Sequence, residues 1–264
     1  MVAPNFGCGH CRQCVTGNNN RCANYVGVGV NLDGAFAEYL RLPAPLIAQG
    51  NLIPVAEETD PAAAALIEPL ACVVRGQDAL SVGPDDVVLV VGAGPIGDMH
   101  VMLARLKGCR RIIVSEMQPA RLPAALEMGG DRGVNALEED LAAVVMEESE
   151  GEGADVIIVA APAHAAQEEA VRLAAIGGRI NFFGGLPKDR PTIALDSNQV
   201  HYKELVVTGT TACSTSDCWR AAHLVNAGRL EMGRLISARY PLAAVHEAFA
   251  RAEDRLSLKI VVEP

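Results

Sequence analysis

Two groups of residues in this chain have types and spacings that could do chemistry. The first is Cys8, Cys11, Cys14 and Cys22, spaced C-x2-C-x2-C-x7-C. Four thiolates at such short intervals can close a tetrahedral shell around one metal ion with no position left for a substrate, the pattern of a structural zinc site. Iron and sulfur are the rival. The bacterial cluster pattern closes C-x3-C-P, whereas the last gap here is seven and Ala23 follows Cys22, which favours zinc. His10 lies inside the cluster and reads as a loop residue, because four sulfurs already fill the shell.

The second group is Gly92-Ala93-Gly94-Pro95-Ile96-Gly97, a G-x-G-x-x-G. It follows the apolar run Val87 to Val91 and opens a stretch with Ile96, Met99, Leu103 and Leu106 at helical intervals. In that context Gly92 permits the tight turn, Gly94 admits a pyrophosphate to the backbone, and Gly97 lets helix and strand approach while the helix N-terminus faces the phosphates. Glu116 follows at the end of the next apolar run, where an acid accepts the ribose hydroxyls and repels a 2'-phosphate. The reading is therefore NAD rather than NADP, with Arg121 near the adenosine end. The alternative is a domain of the same shape whose glycines only make turns and whose Glu116 is a solvated strand end.

The remaining chemistry-bearing residues are scattered. Cys72, Cys109, Cys213 and Cys218 read as ordinary core or surface thiols. His100, His164, His201, His223 and His246 stand alone and read as helix-face or core histidines.

These groups need a scaffold. A chain of 264 residues, half of them apolar, can bury one large core or two modest ones. From residue 1 to about 50 the sequence is irregular and rich in Gly, Asn and Pro, consistent with loops and short strands. Pro61 to Gly76 reads as an alanine-rich helix. From Val87 onward, short apolar runs at 87–91, 112–114, 156–159, 180–183 and 205–207 alternate with helical patterns. Runs without polar alternation belong to parallel strands covered on both faces, so the fold class is α/β with a doubly wound parallel sheet. Pro119 opens a helix, Ser214 to Asp217 offers caps for a helix through Ala227, and the last stretch holds a helix through Phe249 and a strand from Lys259 to Val262.

A net charge of -10 without a Lys/Arg cluster argues against nucleic acid as a partner. The acidic run Glu138 to Glu152 reads as a solvated helix face and loop. No apolar run is long enough to span a bilayer, and the first residues lack the pattern of a signal peptide, so a cytoplasmic protein with no membrane partner is expected. Eight cysteines without a secretion signal point to thiol or metal chemistry rather than disulfides.

Taken together, Gly7-Cys8-Gly9-His10-Cys11-Arg12-Gln13-Cys14, Glu68-Pro69-Leu70-Ala71, Gly92 to Gly97 and Gly177-Gly178-Arg179 resemble the zinc-dependent medium-chain alcohol dehydrogenases. Glu68-Pro69 is most similar to the branch of sorbitol (L-iditol) and threonine dehydrogenases. The resemblance runs the length of the chain. It implies a Rossmann domain, about 76–237, and an incomplete, mainly β GroES-like catalytic domain built from residues 1–75 and 238–264.

The same resemblance implies Cys8, Cys11, Cys14 and Cys22 as structural zinc ligands. It implies Gly92, Gly94, Pro95, Ile96, Gly97, Glu116 and Arg121 at the NAD site, and Phe183, Gly184, Thr210 and Thr211 near the nicotinamide. Glu68 would sit at the catalytic zinc or hydrogen-bond its water. The implied reaction is oxidation of a small secondary alcohol, such as a polyol or sugar, by a homodimer or homotetramer. In the family a cysteine and a His-Glu pair N-terminal to the lobe complete the catalytic zinc site, and this chain begins about where the lobe begins. Glu68 is then the only residue placed at that metal, so the chain alone is expected to be a poor enzyme. A non-catalytic NAD-binding or assembly module is the alternative. Ala212 stands near where sorbitol dehydrogenases carry a substrate-contacting arginine, which loosens the polyol assignment.

Overall fold

In the computed structural model, which describes residues 1–254 and 256–264, the Val- and Ile-rich runs become a six-stranded parallel sheet. Its strands are β1 (Val87–Val91), β2 (Arg111–Glu116), β3 (Arg132–Asn135), β4 (Ala154–Val159), β5 (Ala174–Phe182) and β6 (Val206–Gly209). They lie in the order β3-β2-β1-β4-β5-β6, every pair parallel. The order reverses between β1 and β4, the switch point at which doubly wound sheets of this Rossmann type hold their ligands. Residues such as Val87, Leu89, Ile113, Ile157 and Ile180 are completely buried, as strands sandwiched between two helix layers must be.

Helices α1 (Pro95–Leu106), α2 (Leu122–Glu127), α3 (Leu141–Glu148) and α4 (His164–Leu173) connect the strands. The helix α1 buries Met99 and Leu103 and starts with Pro at its first position, where a missing N–H costs nothing. Two elements had too weak a pattern to be read in sequence. The strand β3 buries one apolar residue, Val134, in Arg-Gly-Val-Asn; it forms because β2 presents an unpaired edge. The helix α4, rich in Ala, Gln and Glu, buries Ala170, Val171 and Leu173 together with the polar Gln167.

The acidic run around α3 is also less solvated than its composition suggests. Glu148 pairs with Arg111 and Glu139 with Arg132, and Glu139 accepts the Asn135 amide at 2.8 Å. These acids hold the outer strands rather than merely facing water. Asp140 caps α3 by accepting from Ala142 and Ala143. Gly177 and Gly178 lie inside β5 rather than ahead of it, at an irregularity in its register with β4.

The chain divides into two compact units, residues 75–210, which hold the sheet, and residues 1–74 with 211–264. The segment 211–237, assigned from sequence to the nucleotide domain, lies in the other unit. Polar side chains explain this. Buried Asn5, Asn19 and Asn51 tie the first fifty residues to the returning segment. Asn5 Nδ2 donates to Cys213 O at 3.1 Å, the Thr215 amide donates to Asn19 Oδ1 at 2.9 Å, and Thr215 Oγ1 donates to Asn51 Oδ1 at 3.2 Å. The helix Thr215–Asn226 starts from a capping box of Ser214 and Asp217. In the same unit Ile236–Pro241 pairs in parallel with Lys259–Glu263. No helix among the described residues is long and apolar enough to cross a membrane.

Candidate dinucleotide cleft and metal sites

Within the sheet unit, the turn after β1 brings the glycines onto the end of β2. The Gly92 amide donates to Ser115 O at 2.7 Å. The Ala93 amide donates to Glu116 Oε2 at 2.8 Å and the Gln118 amide to Glu116 Oε1 at 2.9 Å. A carboxylate has about four acceptor positions, so Glu116 retains capacity for two ribose hydroxyls while bracing the loop. Arg121 Nη1 lies 3.9 Å from Glu116 Oε2. A Cβ on Gly97 would stand 1.8 Å from Gly92 O, so α1 reaches the turn only because position 97 is glycine. A Cβ on Gly94 would clear the protein, its nearest neighbour being Arg121 Nη1 at 3.7 Å. That open space beside the N-terminus of α1 could hold a pyrophosphate. A cavity of about 420 Å³ adjoins it at the β1/β4 switch point, lined by Gly92, Glu116, Leu141 and Ala161 among others.

Phe183 and Gly184 follow β5. The Phe183 ring stacks edge-on against His100, with centroids 4.6 Å apart, and a Cβ on Gly184 would meet Ala161 at 2.7 Å. Thr210, at the end of β6, shares a hydrogen bond with Asn181 at 3.2 Å. Thr211 falls in the other unit, where its carbonyl accepts from Asn20.

The helix α1 also carries a buried acid that the motif gave no reason to expect. Asp98 is fully buried, and neither carboxyl oxygen finds a protein hydrogen bond. Burial raises its pKa to about 7; Arg121 opposes the shift and the Glu116 charge adds to it. A carboxyl whose folded pKa is raised holds its proton in the native state and loses it on unfolding. Stability is therefore full below about pH 4 and falls as pH rises towards 7. Between pH 5 and 8 the wild-type unfolding free energy should drop by on the order of 3 kcal/mol relative to Asp98→Asn. Parallel urea titrations of both proteins at the two pH values check this; equal slopes with pH would mean that Asp98 is already ionised or solvated.

In the other unit the four clustered cysteines converge as their spacing predicts. Their sulfurs lie within 4.8 Å of one another, with Cys11 Sγ 3.5 Å from Cys14 Sγ and 3.7 Å from Cys22 Sγ. A tetrahedron with Zn–S bonds of about 2.3 Å has edges of about 3.8 Å, so the cage could hold zinc. Amides of Cys8 and Asn24 point at Cys22 Sγ, and the Cys11 amide at Cys8 Sγ. Backbone N–H groups of His10 and Cys11 draw the Cys8 thiol down to about 6, towards the thiolate a metal requires. His10 Nδ1 is engaged with Cys8 O at 2.9 Å, as a loop residue would be.

A second convergence escaped the sequence reading. Glu68 and Cys72 occupy one face of the helix Ile67–Asp78, and Cys213 arrives from 145 residues beyond Glu68. Cys72 Sγ is 3.7 Å and Cys213 Sγ 3.4 Å from Glu68 Oε1. The three ligand atoms lie within 4.8 Å of one another. Contact with Cys213, then burial, raises the Cys72 pKa; contact with Cys218 leads the causes that raise that of Cys213. The i, i+4 spacing of Glu68 and Cys72 was visible in the sequence, but nothing in it pointed to Cys213. None of the six histidines belongs to either metal-ligating group among the described residues.

Comparison with known proteins agrees with both halves of this picture. Residues 95–227 match a family model described as zinc-binding dehydrogenase, and residues 1–53 one described as the alcohol dehydrogenase GroES-like domain. The L-threonine 3-dehydrogenase of Vibrio parahaemolyticus is 34% identical over 97% of this chain and 72% of its own length. That of Chromobacterium violaceum is 32% identical with the same coverage. Among solved structures, a zinc-binding dehydrogenase of Sinorhizobium meliloti 1021 bound to NADP superposes with a TM-score of 0.87 at 30% identity, over 100% of this chain and 76% of that one. A short chain alcohol dehydrogenase of E. coli CFT073 complexed with NADH gives a TM-score of 0.89 at 27% identity, over 98% and 74%. By its sequence matches, its parallel sheet and its cysteine cage, the chain belongs to the zinc-dependent medium-chain alcohol dehydrogenase family, in the branch of the threonine and sorbitol dehydrogenases.

Proposed function

We propose that this chain binds NAD in the cleft at the β1/β4 switch point and serves the oxidation of a secondary alcohol on a small polar molecule, a polyol or sugar-like compound, to the ketone. The observation that carries this reading is Glu116, whose carboxylate braces the glycine loop and faces the space a ribose would fill. The open side of Gly94 takes the pyrophosphate, with Pro95 and Ile96 opening the helix behind it and Arg121 beside the adenosine ribose. Phe183, Gly184 and the Thr210–Thr211 turn border the nicotinamide.

When bound, NAD would accept the hydride, and a zinc ion at the substrate oxygen would stabilise the alkoxide. The chain's own part is positioning: the glycine turn fixes the cofactor, Glu116 orients the ribose, and Glu68 would hold the zinc or its water. The structural zinc belongs to Cys8, Cys11, Cys14 and Cys22. The eight cysteines are all free, which suits a reducing cytoplasm, and a homodimer or homotetramer fits the family.

The test pairs a direct titration with a substrate panel. NADH should bind more tightly than NADPH, and Glu116→Ser should narrow the difference at least tenfold by removing charge repulsion. Steady-state NADH formation is then measured with polyols, L-threonine and simple secondary alcohols. A wild-type preference for NADPH would refute the role of Glu116. Tight NADH binding with no turnover on any alcohol would favour a non-catalytic nucleotide-binding module.

A further inference from the structure

Three potential ligands meet at one point outside the cysteine cage: the Glu68 carboxylate, the Cys72 thiol and the Cys213 thiol. The distances match a bound ion. With Zn–S bonds of about 2.3 Å and a Zn–O bond of about 2.0 Å, tetrahedral angles put oxygen and sulfur about 3.5 Å apart. The observed separations from Glu68 Oε1 are 3.7 Å to Cys72 and 3.4 Å to Cys213. Neither thiol has the surroundings of an ordinary core cysteine, since each directs its sulfur at the same carboxylate oxygen.

The framework around the cluster is built to hold it. Glu68 and Cys72 stand one helical turn apart on the helix Ile67–Asp78, so their side chains share a face. Cys213 is fully buried and is anchored through its carbonyl, which accepts from Asn5 Nδ2 at 3.1 Å; the same amide lies 3.6 Å from its sulfur. The preceding residue, Ala212, adopts φ +52, a left-handed conformation that alanine enters at a cost and that persists where the surroundings impose it. Asn5 is in turn bonded by the Tyr25 hydroxyl at 2.6 Å. Burial lowers the pKa of Lys259, and the Glu68 charge opposes that shift.

Cys218 Sγ lies 3.5 Å from Cys213 Sγ but does not join the set that mutually converges. One coordination position is thus left open. Glu68 also lines a cavity of about 540 Å³, with Thr59, Ala64 and Ala65 on its wall, so a small molecule can approach from the carboxylate side.

We infer that Glu68, Cys72 and Cys213 form a second metal site, which binds one zinc ion through one carboxylate oxygen and two thiolates and leaves a fourth position for an external oxygen ligand. Binding replaces the two thiol protons that now face Glu68, and both leave to solvent. This ligand set is assembled from the chain's own residues; it rests on the alcohol reading in sharing Glu68 with the zinc proposed there, and it is independent of the NAD reading.

The test is metal stoichiometry on the full chain, titrated with Zn²⁺ alone, dialysed and analysed for zinc and iron. The wild type should retain two zinc ions per chain. Glu68→Gln, Cys72→Ser and Cys213→Ser should each retain one, with the second ion bound at least a hundredfold more weakly, while Cys109→Ser keeps two. Circular dichroism reports folding, and Glu68→Gln, at the cavity wall, decides the matter should a cysteine variant fail to fold. Cobalt titrated into zinc-free protein gives an independent readout: thiolate charge-transfer absorption should saturate at two equivalents in the wild type and at one in the variants. A wild type that takes up one zinc and no more, or three variants that hold the second ion within threefold of wild type, overturns the site. NADH titration of the same preparations separates this result from the dinucleotide reading, because either can fail while the other stands.

Discussion

Replacing Cys14 with Ser, or drawing the metal from the cage with a strong chelator, is expected to unfold residues 7–24 as a unit and to lower the melting temperature of the chain markedly. The physical reason is that this lobe has almost no core. Its only α-helical turn, Arg12–Val15, buries no residue, and Val15 is 68% exposed. What organises it is the cage itself: a Cβ on Gly7 would meet Cys14 Sγ at 2.6 Å and Cys22 Cβ at 2.8 Å, so the backbone wraps directly on the sulfurs. A structural zinc contributes about 10 kcal/mol or more to such a lobe, against the ~5–15 kcal/mol of net stability of a typical domain. Amide hydrogen exchange should show protection of residues 7–24 lost with the metal while β1 and β2 keep theirs. Unchanged protection after the metal has gone, or iron in place of zinc, would remove the structural-zinc assignment.

The second large effect is expected at the glycine turn, where two substitutions should separate fold from binding. Gly97→Ala puts a methyl group 1.8 Å from the Gly92 carbonyl, a separation no packing accommodates, so α1 must shift away from β1. NADH affinity should fall at least a hundredfold and thermal stability should drop with it, since overpacking costs ~1–3 kcal/mol or more. Gly94→Ala meets no protein atom closer than 3.7 Å. Its melting temperature should stay near wild type, yet its methyl group occupies the space proposed for the pyrophosphate, and NADH should bind ten- to a hundredfold more weakly. Calorimetric titration with NADH and thermal melts of the three proteins give the comparison. A Gly94→Ala protein that binds NADH as well as wild type would place the cofactor elsewhere.

These predictions rest on residues whose roles were legible at different levels. The cysteine cage and the glycine turn could be read directly, because each is local: four thiols within fifteen residues, and a strand, turn and helix that follow one another. Strands β1, β2 and β4 were visible because full burial on both faces demands uninterrupted Val, Ile and Leu, and β6 was visible by its Leu-Val-Val run although it is a partly exposed edge strand. The strand β3 was not, since one buried valine suffices when a neighbouring edge supplies the hydrogen bonds.

What the sequence could not contain is proximity between distant residues. It determined the parallel sheet, the turn at Gly92 and the acid at Glu116, because periodicity and short spacings are properties of a local stretch of chain. It could not show that Glu116 also holds the Ala93 amide, that neither carboxyl oxygen of the buried Asp98 finds a hydrogen-bond partner among the described residues, or that 211–237 leaves the nucleotide unit. The last of these follows from buried asparagines that must satisfy their amides wherever the fold brings a carbonyl. Cys213 is the clearest case: in sequence it is an isolated thiol beside a capping box, and only the tertiary path that Asn5, Asn19 and Asn51 impose on the returning segment carries its sulfur to Glu68 and Cys72.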